Sequence, residues 1–422
     1  MKRSTFVQSA AAAGVLAAVP RFTVAAGPAA TVKIGFLDSF SGVFSDIGAI
    51  HKMGAMMALE DANRKGRIKY EFAFGDDGSK PPIGGTEFLR LVTQENVDVV
   101  VGGTSSGVGL ANSARAEELG IFNVIVGGQD SAITGAKAGK TTYRFGPNVR
   151  MLNNALSRRA LALGKKWYFI QSDYALGKDA YEQLSATLKR AGGTEVGHDV
   201  LPLGTSDFSS VLTKVKNSDA DVLVLANSGL DATNTAKQWV QFGLNKRMHL
   251  TGISLEDFYY NSINLDDIQG ATFPVLWAPS VSDSAGRLAA RLRRGVPHGD
   301  YVGGRHYLGY MSVAATIDRI AATGTTDPAK LAHAFDDHQF DCYKADRAIW
   351  HGCTHQAAQS TYAGAVVSRK RLAQQQFMFD IVSDVPAVEA DGNCDSPWAK
   401  VAAAALAAQS FNTRSGYTPK TF

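Results

Sequence analysis

From Thr31 onward, short runs of β-forming residues alternate strictly with longer stretches whose apolar residues recur at helical spacing, and the alternation runs through twice. In the first pass Val32 to Leu37, Ile68 to Phe74, Val97 to Val101 and Ile121 to Val126 read as strands, separated by helices at Ile50 to Asn63, Thr86 to Gln94 and Leu110 to Leu119. After a long helical stretch from Arg150 to Leu163 the scheme restarts. Trp167 to Gln171, Glu195 to Leu201, Val222 to Ala226 and His249 to Ile253 read as strands, with helices at Tyr181 to Arg190, Phe208 to Lys216 and Thr233 to Phe242. Consecutive strands joined through a helix must lie parallel, with the crossover helices covering both faces of the sheet. The fold class expected is therefore α/β, with two doubly wound parallel-sheet lobes that share a topology but no residue-level repeat. Later helices at Ser284 to Arg294, Tyr307 to Ala322 and Pro328 to Asp336 return the chain to the first lobe. Hairpin material follows at Asp341 to Trp350 and Phe377 to Val382. The expected division is residues 31–150 plus about 280–335 in the first lobe, 151–279 plus about 336–400 in the second, and a tail over 401–422.

The first thirty residues carry a different signal. Lys2 and Arg3 precede an Ala-rich apolar stretch from Ser9 to Val19, and Val24-Ala25-Ala26 offers small residues for cleavage, so residues 1–26 read as a secretory signal peptide. The apolar stretch is too short to span a bilayer, which needs about 20 apolar residues. No cysteine adjoins the cleavage site to carry a lipid, and a freely diffusing monomer in the periplasm is expected. The basic pair resembles a loosely spaced twin-arginine signal, which leaves the export route open. The whole chain has 43 Lys+Arg against 39 Asp+Glu. Cleavage after Ala26 removes Lys2, Arg3 and Arg21 and no acid, leaving a nearly neutral chain without a basic stripe, so nucleic acid is not an expected partner. In an oxidising compartment the three cysteines allow one disulfide. Cys353 with Cys394 is the favoured pair, and Cys342 with Cys353 stays open.

Candidate chemistry gathers where strands end. Gly102-Gly103-Thr104-Ser105-Ser106-Gly107 follows the third strand and opens a helix, so its free N–H groups and the Ser105 and Ser106 hydroxyls suit a carboxylate. The same stretch formally matches Gly-x-Ser-x-Gly, which makes a serine hydrolase using Ser105 the enzymatic rival. No oxyanion-hole motif or distinctively placed downstream histidine accompanies it. Gly128, Gln129 and Asp130 follow the next strand, and open α/β sheets bind ligands at such carboxyl ends. There Gln129 offers donor and acceptor and Asp130 an acceptor for an ammonium, or alternatively a turn cap. In the second lobe Tyr174, Asn227, Ser254 and Glu256 occupy comparable strand ends. His351, Cys353 and His355 alternate along one face, but the favoured disulfide consumes Cys353 and no metal is expected. Walker-type and dinucleotide-binding glycine patterns are absent, as is His-Glu-x-x-His, so no cofactor is expected.

Several stretches occur together and in order: Ile34-Gly35-Phe36 through Ser41-Gly42-Val43-Phe44, Ala58-Leu59-Glu60-Asp61-Ala62-Asn63, Val99-Val100-Val101-Gly102-Gly103-Thr104-Ser105-Ser106-Gly107, Asp173-Tyr174-Ala175-Leu176-Gly177 and Gly204-Thr205-Ser206-Asp207-Phe208. Over roughly Thr31 to Ile320 the chain resembles the periplasmic substrate-binding proteins of branched-chain amino-acid type ABC transporters, the leucine/isoleucine/valine-binding group. That resemblance implies a type I periplasmic binding protein fold, two lobes joined by a hinge of several crossing segments, which close on a small ligand and meet a membrane permease. It places Ser106 on the ligand carboxylate, Gly128, Gln129 and Asp130 on carboxylate and amino group, Tyr174 as an aromatic lid and Asn227 as a second contact. The acid facing an ammonium falls near Ser254 to Glu256. Gln129-Asp130 and Asn227 depart from the usual Thr/Ser and Tyr, so an amino acid, an amide or an aromatic acid all remain candidate ligands. A binding protein serving a signalling receptor is the other non-enzymatic reading.

Overall fold

The computed structural model describes residues 30–297 and 300–422, so the expected signal peptide lies outside the described residues. In the first lobe five parallel strands, β1 (Thr31–Asp38), β2 (Lys69–Asp76), β3 (Val99–Gly102), β4 (Phe122–Ile125) and β5 (Thr142–Arg144), stand in the order β5-β4-β3-β1-β2. Helices α1 (Ser45–Lys65), α2 (Pro81–Thr93) and α3 (Ser106–Leu119) connect them. Helix α4 (Val149–Leu163) leads into the second lobe, where β6 (Lys166–Ser172), β7 (Thr194–Leu201), β8 (Val222–Ala226), β9 (His249–Gly252) and β10 (Thr272–Val275) repeat the order as β7-β6-β8-β9-β10. Its crossover helices are α5 (Ala175–Arg190), α6 (Ser209–Asn217) and α7 (Gly229–Gln241). Both orders reverse direction beside the first strand of the lobe. That reversal opens a crevice at the strands' carboxyl ends, between β1 and β3 in one lobe and between β6 and β8 in the other.

The central strands of each sheet, such as β3, β4 and β8, are buried on both faces, which is why they read as continuous apolar runs. Phe36, Val99, Val101 and Phe122 pack beneath α1 and α9 (Gly304–Thr323), while Leu37, Val97 and Val100 pack beneath α2 and α3. Helix α8 (Asp283–Leu292), α9 and α10 (Pro328–Phe335) contribute Ala285, Leu288, Tyr307 and Phe335 to the first of these cores.

The C-terminal third departs from the expected division. Strands β11 (Gln339–Phe340), β12 (Ala348–His351) and β13 (Gln356–Ala358) extend the first sheet, with β13 beside β5. Residues 339–358 thus belong to the first lobe, not the second. Only β14 (Thr361–Val366) and β15 (Phe379–Val385), with α11 (Arg369–Gln375) between them, complete the second sheet. The reason is visible at Arg144, fully buried on the short strand β5, whose guanidinium donates to Gln356 Oε1, Thr134 Oγ1 and the carbonyls of Gly128 and Asp130. A buried guanidinium needs its donors satisfied, and Gln356 meets that need by bringing β13 alongside.

After α12 (Ala387–Ala390) the chain crosses back, and α13 (Pro397–Ala407) buries Ala402 and Leu406 against Ala138 of the first lobe. The tail is tied down in turn: Arg414 donates to the carbonyls of Val92 and Val97, and Lys420 Nζ pairs with Asp98 at 2.7 Å. Cys353, in the β12–β13 turn, is bonded to Cys394, just before α13, while Cys342 is a buried free thiol.

Candidate ligand-binding site

The two crevices face each other across the interlobe cleft. Strand β3 ends in Gly102, where a Cβ would lie 1.7 Å from the Leu37 carbonyl oxygen, so only glycine lets β3 approach β1 this closely. Ser105 is the N-cap of α3 with extended backbone (φ −71°, ψ 132°) and makes no side-chain cap. The N-caps of α5 and α7, Tyr174 and Ser228, likewise make none. Three helices therefore present their first-turn N–H groups without side-chain acceptors toward one cleft, an arrangement that favours an anionic ligand. Ser106, Tyr174 and Ser228 line a single cavity together with Phe44, Ile47, Thr104, Gly127, Gln129, Leu176 and Arg305.

The cavity wall is held by buried charge. Arg305, one residue into α9, forms a bidentate pair across the lobes with Glu256, Nε to Oε2 at 2.9 Å and Nη2 to Oε1 at 2.5 Å, both side chains only 3% exposed. Burial acts to raise the Glu256 carboxyl, but the charge and hydrogen bonds of Arg305, with a bond from Ser254 Oγ at 2.9 Å, hold it below its ordinary value. The third arm of the guanidinium, Nη1, has no partner among the described residues. On the first lobe His51 Nδ1 lies 2.9 Å from Asp38 Oδ2 and 3.0 Å from Thr104 Oγ1, leaving Nε2 unpartnered. Burial opposes ionisation of Asp38, and the bond and charge of His51 outweigh it, so this carboxyl too lies below its usual range.

Of the residues singled out in the sequence, Ser106, Gln129 and Tyr174 line this cavity, and Gln129, Ser254 and Glu256 line a second beside it with Leu255 and Leu276. Ser106 Oγ accepts from the backbone N–H groups of Gln129 and Asp130, both at 3.1 Å, which fixes the following loop and leaves its own proton to donate. The Tyr174 hydroxyl lies 2.7 Å from Ser228 Oγ, and its ring sits 5.9 Å from that of Phe44.

Four of the residues singled out in the sequence lie outside the lining of these cavities. Asp130 caps the turn after it, Oδ1 accepting from Ala132 N at 2.7 Å, and lines neither cavity. Burial pushes its carboxyl up to about 6. Asn227 is fully buried and donates to Thr235 inside the lobe, and Ser228 takes the position assigned to it. Gly128 anchors the loop through Gly103 O, while Gly127 is the glycine at the cavity. Ser105 is a helix N-cap that lines neither cavity, and no hydrogen bond joins it to a histidine among the described residues.

Arg305, His51, Thr104, Phe44 and Ser228 were missed. Arg305 lies far along the chain from any strand end, inside Gly303-Gly304-Arg305, and only the return of α9 to the first lobe brings it here. Gly127 packs against both His51 and Arg305: a Cβ there would fall 2.8 Å from His51 Cε1 and 3.5 Å from Arg305 Nη1. Gly127→Val is therefore expected to weaken ligand binding at least tenfold with little change in secondary structure, as calorimetry and circular dichroism would read.

Asp257 supplies a pH dependence. Its Oδ2 accepts from Gly304 N at 2.8 Å, and burial, with the nearby Glu256 charge adding, pushes its carboxyl up to about 6. A carboxyl raised in the folded state favours folding fully only below its unfolded value, and that contribution is lost as pH rises from about 4 to about 6. Asp257→Asn should remove this loss, gaining stability on the order of 2 kcal/mol over wild type at pH 7.5 and none at pH 4. Chemical denaturation at the two pH values checks it, and an equal effect at both would count against the assignment.

The fold and the cleft together define a two-lobed solute-binding protein. The family model of periplasmic binding proteins matches residues 31–371, and the chain belongs to that family. It is 27% identical over 250 residues to a Leu/Ile/Val-binding protein homologue of Brucella melitensis, covering 58% of this chain and 67% of that one. Among solved structures, a periplasmic binding protein from Burkholderia mallei superposes with a TM-score of 0.79 at 24% identity, covering 86% of this chain and 96% of that one. A solute-binding protein of an ABC transporter from Rhodopseudomonas palustris, in complex with 4-hydroxybenzoate, superposes with a TM-score of 0.77 at 22% identity over 84% and 97% of the two chains.

Proposed function

We propose that the protein is the extracytoplasmic solute-binding component of an ABC importer, exported by its N-terminal signal and cleaved near Ala26, and that it captures a small apolar or aromatic carboxylate without turning it over. The observation that carries this reading is the convergence of three helix N-termini without side-chain caps and the unpartnered Arg305 Nη1 on one cavity walled by Phe44, Ile47, Tyr174 and Leu176. Such a cavity supplies donors for a carboxylate and apolar surface for a compact body.

A carboxylate without an α-ammonium is favoured over an α-amino acid, because the acids at the cleft are already committed. Glu256 is paired with Arg305 and Asp38 with His51, Asp130 caps a turn, and Asp257, beside Glu256, already accepts from Gly304 N. An ammonium buried beside no free acceptor would be costly. The relative from Rhodopseudomonas palustris bound to 4-hydroxybenzoate agrees with this choice. The names of the Leu/Ile/Val-binding relatives favour the second reading, a branched-chain amino acid. The cavities in the cleft measure about 20 and 10 Å³, smaller than any of these ligands, so capture on this reading requires the lobes to move apart. A membrane permease is the partner this reading implies.

A thermal-shift screen of the mature protein against benzoate, 4-hydroxybenzoate, leucine, phenylalanine and benzamide separates the readings. A ligand at 100 times its dissociation constant adds about 2.7 kcal/mol. Stabilisation by the two benzoates alone supports the proposal, stabilisation by the amino acids alone supports the second reading, and stabilisation by none of them counts against both.

A further inference from the structure

A cavity of about 610 Å³ lies in the first lobe beside α9, and none of its lining residues lines either cavity of the cleft. Arg305 stands at the cleft end of α9, whereas Ala314, in the cavity wall, lies about 14 Å further along the helix axis. Small side chains make the room: Ala58 and Ala62 of α1 and Ala314 and Ala315 of α9 contribute only methyl groups to the wall. Five aromatic rings complete it, Tyr70 of β2, Tyr310 of α9, Phe340 of β11, Tyr343 just after it and Trp350 of β12. Trp350 packs on Phe340 with ring centroids 5.5 Å apart and planes inclined by 20°. A hollow of this size and lining suits a small organic molecule, since ligand pockets run to about 300–1,000 Å³ and are mostly apolar and aromatic with a few polar groups.

The polar groups of the wall define what such a molecule must offer. The Tyr70 hydroxyl, on a side chain 3% exposed, and the indole N–H of the fully buried Trp350 have no hydrogen-bond partner among the described residues, nor has Arg319 Nε. Each of the three can donate. Burial and the Asp318 charge push the Tyr70 phenol up to about 12, so it keeps its proton. The acids of the wall are by contrast engaged: Asp61 accepts from Arg291 and Tyr310, Asp318 from Arg319, and Asp341 from Tyr343 N. A buried donor without a bond is costly, and an acceptor brought to it recovers that cost. We propose that this cavity is a second ligand site, independent of the cleft, for a planar aromatic compound that carries carbonyl or comparable acceptor oxygens on its edge. The rings supply stacking and edge contacts to its body, and the donors discriminate against a plain hydrocarbon. The wall belongs entirely to the first lobe, so parting of the lobes leaves the site intact.

The test titrates 7-hydroxycoumarin, a fluorescent planar lactone, into the mature protein and reads its fluorescence anisotropy with wild type, Ala314→Phe, Tyr70→Phe and Gly127→Val. The expected result is saturable one-to-one binding to wild type, at least tenfold weaker in Ala314→Phe, which fills the cavity, and unchanged in Gly127→Val, which blocks the cleft. Tyr70→Phe should bind about threefold to tenfold more weakly, yet unfold at the same temperature as wild type or higher, because it deletes a hydroxyl that has no partner in the protein. A hydroxyl with a purely structural role would instead lower the unfolding midpoint. Should circular dichroism show that Ala314→Phe does not fold, Ala62→Leu fills the same cavity from α1. No binding by wild type up to the solubility of the probe would overturn the proposal, as would equal affinity in the filled variant. Binding lost in Gly127→Val and kept in Ala314→Phe would put the probe in the cleft and overturn it too. An unaltered affinity in Tyr70→Phe would overturn the assignment of an acceptor oxygen to the ligand.

Discussion

Arg305→Met is expected to weaken capture of a carboxylate ligand by about a hundredfold or more, the largest single effect on binding in the molecule. The residue is 3% exposed and makes two bonds to Glu256, and its third arm faces Gly127 at the cavity. Truncating one partner of a buried, hydrogen-bonded charge pair typically costs about 2–5 kcal/mol, much of it the penalty of leaving the other charge unpaired. That penalty falls on the closed state, where Glu256 is enclosed, so the variant should lose both ligand contact and closure. The double variant Arg305→Met/Glu256→Gln separates the two. With no charge stranded, stability and closure should return close to wild type, while carboxylate affinity stays low. Recovery of affinity in the double variant would mean that Arg305 serves closure alone and does not meet the ligand. The cycle, read by calorimetry and chemical denaturation, isolates the pairwise contribution.

The second large effect concerns the C-terminal segment. The Cys353–Cys394 bridge closes a loop of 41 residues, and that loop leaves the first lobe at β13, passes through β14 and β15 of the second and returns at α13. By chain entropy a cross-link of this span contributes about 4 kcal/mol. Other contacts share the load: Arg150 and Asn148 bond Asp391, Ala402 and Leu406 pack on Ala138, and Arg414 and Lys420 tie the tail to the first lobe. Replacing both cysteines with serine should lower the midpoint of thermal unfolding by roughly 5–10 °C. Proteolysis should then begin near residues 391–396. A midpoint within a degree of wild type would show that the segment is held by packing alone.

How much of this was legible in the sequence follows from where each signal sits. The central strands of both sheets read clearly because, buried on both faces, they are unbroken apolar runs such as Val97 to Val101 and Val222 to Ala226. The apolar periodicity marks the helices but starts after their first turns. The first turns of α1, α5 and α7, Ser45 to Ala49, Ala175 to Ala180 and Gly229 to Ala232, set one large apolar residue each, Ile47, Leu176 and Leu230, among small and polar ones, too few to show a stripe. Strand β5, three residues long, carries the charged Arg144 and gave no strand signal, since its burial depends on Gln356 more than 200 positions away. The same distance hid the assignment of residues 339–358 to the first sheet.

At the site, local sequence identified loops better than atoms. The strand ends after β3, β4, β6, β8 and β9 all reach the cleft, yet Asp130 and Asn227 turn to backbone and lobe interior while Gly127 and Ser228, their neighbours, line the cavity. A strand end shows which residues arrive at the crevice, and the turn geometry decides which of them face it. Arg305 and His51 had no such marker. They come from the faces of α9 and α1, helices that pack against each other through close approaches such as Gly54 on the His306 carbonyl and Gly309 on that of His51.

The most direct test of carboxylate capture by Arg305 is calorimetric titration of wild-type mature protein with 4-hydroxybenzoate and with its methyl ester, which keeps the ring and removes the charge. The expected result is one-to-one binding of the acid, with the ester at least a hundredfold weaker. Equal affinity for acid and ester, or a preference for the ester, would contradict it.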